Sequence, residues 1–133
     1  MKIKKLWFDD DYLYVMDDQD KEYRQSLLFY PALQKASDCQ RQQYTLSTAG
    51  IHWRDIDEDV SYESFSYPEL TGLQRFFLTH KEINIAEFAR SAGINATLLR
   101  NYINGFKTPS PEREREILEH VHRVGNELVN AHF

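Results

Sequence analysis

The rhythm of apolar positions changes part-way along the chain. Up to about residue 60 they fall in short runs cut by acidic clusters; beyond residue 69 they recur every three or four residues. The first rhythm predicts strands and the second predicts helices. Ile3, Leu6, Trp7 and Phe8 make a strand broken by Asp9-Asp10-Asp11, and Tyr12, Leu13, Tyr14 and Val15 make a second. Asp17-Asp18-Gln19-Asp20 is a turn, and Glu22-Tyr23-Arg24 opens a third strand. Short strands joined by Asp-rich turns predict an antiparallel meander whose carboxylates serve the turns. Pro31 starts a short helix over Ala32, Leu33 and Lys35. Ser37-Asp38 caps another, with Gln40, Arg41 and Gln42 outward, and Tyr44-Thr-Leu-Ser is extended. Residues 50–61 are expected as an irregular connection with Ile51, Trp53, Ile56 and Val60 inward. Residues 64–68 read as a linker.

The helical part begins with residues 69–79, where Leu70, Leu73, Phe76 and Phe77 face inward. Asn84 then caps a helix whose Ile85, Phe88 and Ala89 share a face. Gly93 stops it in a position that favours positive φ, and Ile94 packs beneath the turn. Asn95 caps a second helix with Leu98, Leu99 and Tyr102 buried, and Gly105 ends it. Thr108-Pro109-Ser110-Pro111 is a turn with Ser110 as cap and Pro111 at the first helical position. The last helix, over residues 112–128, carries the stripe Ile117, Val121, Val124 and Leu128, widened by Leu118. It closes the domain and offers a dimer contact. Two helices joined by a tight turn in this way are a device for placing a helix in the DNA major groove.

Residues 84–128 resemble the lambda-repressor-like (Cro/C1, XRE-type) helix-turn-helix family, through Ala89, Gly93, Ile94, Leu99, Tyr102, Gly105 and Lys107-Thr-Pro109-Ser110. Ile85 stands where that family commonly has Gln, which removes one phosphate contact, and Ile103 stands where it often has Glu. Residues 1–65 resemble a small bacterial family catalogued as domain of unknown function 2442. The matching pieces are Trp7-Phe8-Asp9, Phe29-Tyr30-Pro31-Ala-Leu33, and Gly50-Ile51-His52-Trp53 followed by Asp57 and Asp59. Arg54 replaces that family's usual Pro. That resemblance implies a compact α+β fold and a regulatory or antitoxin-like role beside a toxin-like partner. The expected architecture is therefore α+β. A small N-terminal antiparallel sheet with short helices (residues 1–66) precedes an all-α lambda-repressor-like helix-turn-helix domain of five-helix type (residues 67–133).

Charge sharpens this picture. The chain carries a formal charge of −5, yet residues 1–74 hold 8 Lys and Arg against 14 Asp and Glu, whereas residues 75–133 hold 8 against 7. Between Glu87 and Glu112 there is no carboxylate, while Arg90, Arg100 and Lys107 are present. DNA affinity is largely phosphate neutralisation, so a local basic island counts for more than the global sum. Asn95, Ala96, Thr97, Arg100, Asn101 and Lys107 are the candidate DNA-binding residues. Asn95 caps the helix and reaches a phosphate, Arg100 has the donors for guanine O6 and N7, Asn101 those for adenine, and Lys107 neutralises a phosphate. Three cations per copy are few, so a homodimer on double-stranded DNA is expected. An autoregulating antitoxin-like repressor is one form this takes. The competing expectation is a protein-interaction module whose acidic N-terminal domain holds a basic, toxin-like partner without touching DNA.

Other chemistries are weaker. Asp55, Asp57 and Asp59 lack the glycine and glutamate of a calcium loop, since those positions hold Val60 and Ser66. His120 and His122 are two apart on a helix and point to different faces. His52, Asp57 and Ser61 are types used in nucleophilic catalysis, but no sharp nucleophile turn surrounds Ser61. Glycines are few and scattered, which excludes the usual phosphate loops. No enzyme activity, cofactor or metal is expected. Cys39 stands alone, no apolar run is long enough to cross a membrane, and the N-terminus turns acidic too soon for a signal peptide. A cytoplasmic location is expected.

Overall fold

The computed structural model describes residues 1–133. The fold is α+β: antiparallel sheets and short helices come first, then a run of longer helices. The chain divides into two compact units, Met1–Leu70 and Thr71–Phe133.

In the first unit, β1 (Ile3–Phe8), β2 (Tyr12–Asp17) and β3 (Glu22–Ser26) form the meander that the short strands predict. Trp7 stands opposite Tyr14, and Tyr14 opposite Arg24. Alternation along β2 sends Leu13 and Val15 into the core, while Tyr12 and Tyr14 stay half-exposed on the other face. There Trp7 and Tyr14 stack with ring centroids 5.4 Å apart. Helix α1 (Pro31–Gln34) starts at its proline. Helix α2 (Asp38–Arg41) is closed by a capping box in which the Ser37 hydroxyl accepts from the Gln40 amide.

Residues 50–61 depart from the expected irregular connection. They form a hairpin of β5 (Gly50–Trp53) and β6 (Glu58–Ser61), which pairs with the short β4 (Thr45–Leu46) into a second antiparallel sheet. Ile51, Trp53 and Val60 alternate into the core. The turn lacks glycine and uses Asp57 instead, at φ 48°, a conformation that aspartate tolerates. Gly50 is obligatory: a Cβ there would lie 2.3 Å from the Val60 carbonyl oxygen. The core gathers Leu13, Val15, Leu27, Leu33, Ile51, Trp53, Val60 and Phe65. The Trp53 indole N–H donates to the Arg41 carbonyl at 3.0 Å, tying α2 to the second sheet. The expected linker at 64–68 is also corrected. Tyr62–Ser66 is a 3-10 turn capped by Ser61, and Phe65 plugs the core because its ring has apolar surface to bury there.

The second unit holds four helices rather than five: α3 (Gly72–Thr79), α4 (Ile85–Ala92), α5 (Ala96–Asn104) and α6 (Pro111–Val129). The segment between α5 and α6 is bracketed by Gly105 and Pro111 and makes no helix of its own. Helix α3 starts later than expected, because Thr71 and Gln74 form a capping box that leaves Glu69 and Leu70 outside. Leu73 and Phe76 are half-buried, while Gln74, Phe77 and Leu78 are inside. A glutamine is tolerated there because its Oε1 accepts from the Thr71 amide at 3.1 Å and its Nε2 donates to the Ile103 carbonyl at 3.2 Å. Phe77, Phe88, Ala89, Ile94, Leu99, Tyr102, Ile103 and Ile117 complete the interior. Helix α6 buries Ile117 and His120, but its apolar stripe emerges toward the C-terminus, where Leu128 is 71% exposed. Leu118, at 51%, does not widen the packed face.

Candidate nucleic-acid interface

Local chemistry fixes the α4–α5 pair. The Asn84 side chain accepts from the Glu87 amide at 3.0 Å, and the Asn95 side chain from the Leu98 amide at 3.1 Å. Gly93 closes α4 at φ 75°, and the Ile94 amide reaches back to the Ala89 carbonyl at 2.8 Å, which sets Ile94 under the turn. Gly105 closes α5 at φ 82°. The Asn101 carbonyl then accepts from the amides of Phe106 and Lys107 at 2.9 and 3.2 Å. The turn at residues 93–95 is thus held by the left-handed Gly93 at one end and the Asn95 side-chain cap at the other.

Helix α5 buries Leu99, Tyr102 and Ile103. The opposite face exposes Thr97, Arg100 and Asn104, spaced at i, i+3 and i+7. Of the six residues the sequence singles out, Thr97, Arg100 and Lys107 are exposed. Ala96 and Asn101 sit half-buried at the margin, and the Asn95 oxygen is engaged in capping. Arg90 is exposed but paired with Glu87 at 2.7 Å, so it brings less free charge than its place in the basic island suggests. No intramolecular ion pair engages Arg100 or Lys107.

Sequence reasoning missed three neighbours. Lys81, between α3 and α4, lines the same cleft as Arg100, together with Ile83, Ile85 and Asn104. Asn104 lies one helical turn beyond Arg100 on the same face. Phe106 projects beside Lys107 with 79% of its surface exposed. Only Asn104 had a local signal, the i+4 spacing from Arg100.

Some acidic residues of the first unit are occupied structurally. The Asp9 carboxyl is held below the ordinary carboxylate range, first by the Tyr14 hydroxyl at 2.6 Å and then by the amides of Asp11 and Tyr12. Asp17 is lowered mainly by the Lys21 amide and also by that of Gln19. Burial pushes Glu58 up. His52 pairs through Nδ1 with Asp59, its cross-strand neighbour, not with Asp57, and the Ser61 hydroxyl accepts from the Ser64 amide. His52, Asp57 and Ser61 are therefore not assembled as a catalytic set. No three His, Cys, Asp or Glu side chains converge as metal ligands would.

Residues 3–70 match the family described as protein of unknown function (DUF2442), and the chain belongs to that family. Neither a curated protein nor a solved structure matches it. No helix is long and apolar enough to cross a membrane.

Proposed function

We propose that the chain is a sequence-specific double-stranded-DNA-binding transcriptional regulator that docks α5 in the major groove. The observation that carries this is the doubly capped α4–α5 pair, whose outer face offers Thr97, Arg100 and Asn104, with Arg100 free of any internal counter-ion. A guanidinium on a rigid helix, without a carboxylate to neutralise it, is suited to a guanine edge or a phosphate. Lys107 and Lys81 extend the positive charge to the end of α5 and to the α3–α4 connection. The resemblance of residues 84–128 to lambda-repressor-like proteins supports the same function, and autoregulation of an antitoxin-like operon is its most specific form. In the test, Arg100→Ala and Lys107→Ala are titrated with specific and scrambled duplexes. Arg100→Ala loses discrimination between the duplexes, whereas Lys107→Ala weakens binding to both alike. Equal DNA affinity for wild type and Arg100→Ala removes Arg100 from the interface.

A second function is favoured by the charge of the first unit, 8 basic against 14 acidic residues in Met1–Leu70. That surplus suits a basic protein partner. Substituting exposed carboxylates such as Asp10, Asp18 and Glu63 would then weaken that complex and leave DNA binding intact.

A further inference from the structure

The outer side of α6 carries a pattern that a single copy does not use. Leu118, Val121, Gly125 and Leu128 follow one another at spacings of three, four and three, so they share one side of the helix. Leu118 is 51% exposed, Leu128 is 71% exposed, and the adjoining Val129 is 84% exposed. In the first half of α6 this seam opens onto an apolar groove, where Leu118 and Val121 face Leu73 and Phe76 of α3. In the second half it is bare. Gly125 lies inside the helix, where glycine is among the poorest residues for helix formation. Its φ is not positive, and a Cβ there would meet nothing within 4 Å. Nothing within one copy requires glycine at this position. A close approach from outside would.

We infer that α6 pairs antiparallel with α6 of a second copy, about a two-fold axis level with residue 123. The three-four-three spacing reads the same in both directions, so in an antiparallel, isologous pair each seam residue meets another seam residue. Leu118 of each copy meets Leu128 of the other, and Val121 meets Gly125, whose missing side chain provides the hole. Leu128 then enters the groove beside Leu73 and Phe76, so each copy supplies both a knob and a groove. Charge selects the antiparallel arrangement. Residues 111–119 carry Glu112, Glu114, Glu116 and Glu119 against Arg113 and Arg115, a net −2, whereas residues 120–129 carry Arg123 and Glu127, a net zero. A parallel pair would oppose two negative halves; the antiparallel pair sets each negative half against a neutral one. This pairing does not depend on DNA binding.

Sedimentation of the full chain at micromolar concentration provides the first test, and a dimer is expected. Orientation is read by disulfide trapping in a Cys39→Ser background, which removes the exposed free thiol. Leu118→Cys and Leu128→Cys are oxidised separately and as a mixture. In the antiparallel pair, each cysteine sits about 15 Å along the axis from its own copy, at 1.5 Å per residue. That is beyond a disulfide's reach of about 4.4–6.8 Å between Cα atoms. Only the mixture should therefore cross-link. Gly125→Leu should convert the dimer to monomer with its helical circular dichroism retained. A monomeric wild type, a cross-link formed by either variant alone, or a dimeric wild type whose mixture fails to cross-link would each overturn the pairing. A dimer that ignores DNA would leave the pairing standing and count only against the DNA-binding function.

Discussion

Replacing Gly105 with alanine should destabilise the second unit more than the same change at Gly93. Both glycines hold left-handed backbone, at φ 82° and φ 75°. Forcing an L side chain into that region costs roughly 1–2 kcal/mol at either position. At Gly93 a new Cβ meets nothing within 4 Å, so that cost is the whole of the native-state effect. At Gly105 the Cβ would lie 3.0 Å from the Gln74 Nε2, the atom that donates to the Ile103 carbonyl. Displacing that buried amide loses a hydrogen bond worth about 0.5–1.5 kcal/mol. Gly105→Ala should therefore cost about 1.5–3.5 kcal/mol and Gly93→Ala about 1–2 kcal/mol. Each is offset equally by the stiffer unfolded chain. The assay is denaturant unfolding followed by circular dichroism at the helical band. Both tryptophans, Trp7 and Trp53, lie in the first unit, so their fluorescence reports separately on that unit. In a Gln74→Ala background the difference between the two glycine variants should vanish. Equal costs in the wild-type background would refute the role given to Gln74 in fastening α5 to α3.

Three more predictions follow from named contacts. Arg100→Ala should weaken specific DNA binding by about 1–3 kcal/mol, while Arg90→Ala, whose charge Glu87 already engages, should have the smaller effect; anisotropy titrations of the two variants compare them. The Asp9 carboxyl titrates below its ordinary range, so its contribution to stability is present above the unfolded-state pKa and is lost as pH falls through the folded one. Tyr14→Phe removes the largest cause, and NMR should then find Asp9 titrating closer to an ordinary carboxylate. His120 is buried against Phe88, with rings 4.8 Å apart and Nε2 lacking a protein partner. Relieving an unpaired polar atom gains about 1–3 kcal/mol and losing the ring contact costs about 0.5–1.5 kcal/mol. His120→Leu should thus leave thermal stability of the second unit unchanged or raised, and a clear drop would mean that Nε2 is satisfied.

Whatever a few neighbouring residues decide was legible in the sequence. Asn84, Asn95 and Ser110 cap the helices that follow them, and Gly93 and Gly105 take left-handed backbone, because cap and stop are set within one turn. The β1–β3 meander was readable for the same reason, since its turns lie between adjacent strands. The β5–β6 hairpin was hidden by its turn, where Asp57 stands in for glycine and β6 buries only Val60. Gln74 was invisible as an interior residue because its partner at Ile103 lies 29 positions away. The same holds for Lys81, brought to the Arg100 cleft only by tertiary packing, and for the exposed end of the α6 stripe. Helical periodicity shows which side of α6 is apolar, and not how far along it the domain provides a surface to cover.

The most direct test of the DNA-binding proposal is fluorescence anisotropy of the full chain, with the DNA upstream of its own coding sequence set against a scrambled duplex of equal length, at two salt concentrations. The account predicts tight binding that favours the upstream duplex and weakens steeply as salt rises. No binding to either duplex, even at low salt, would contradict it and leave the face of Thr97, Arg100 and Asn104 as an ordinary solvated surface.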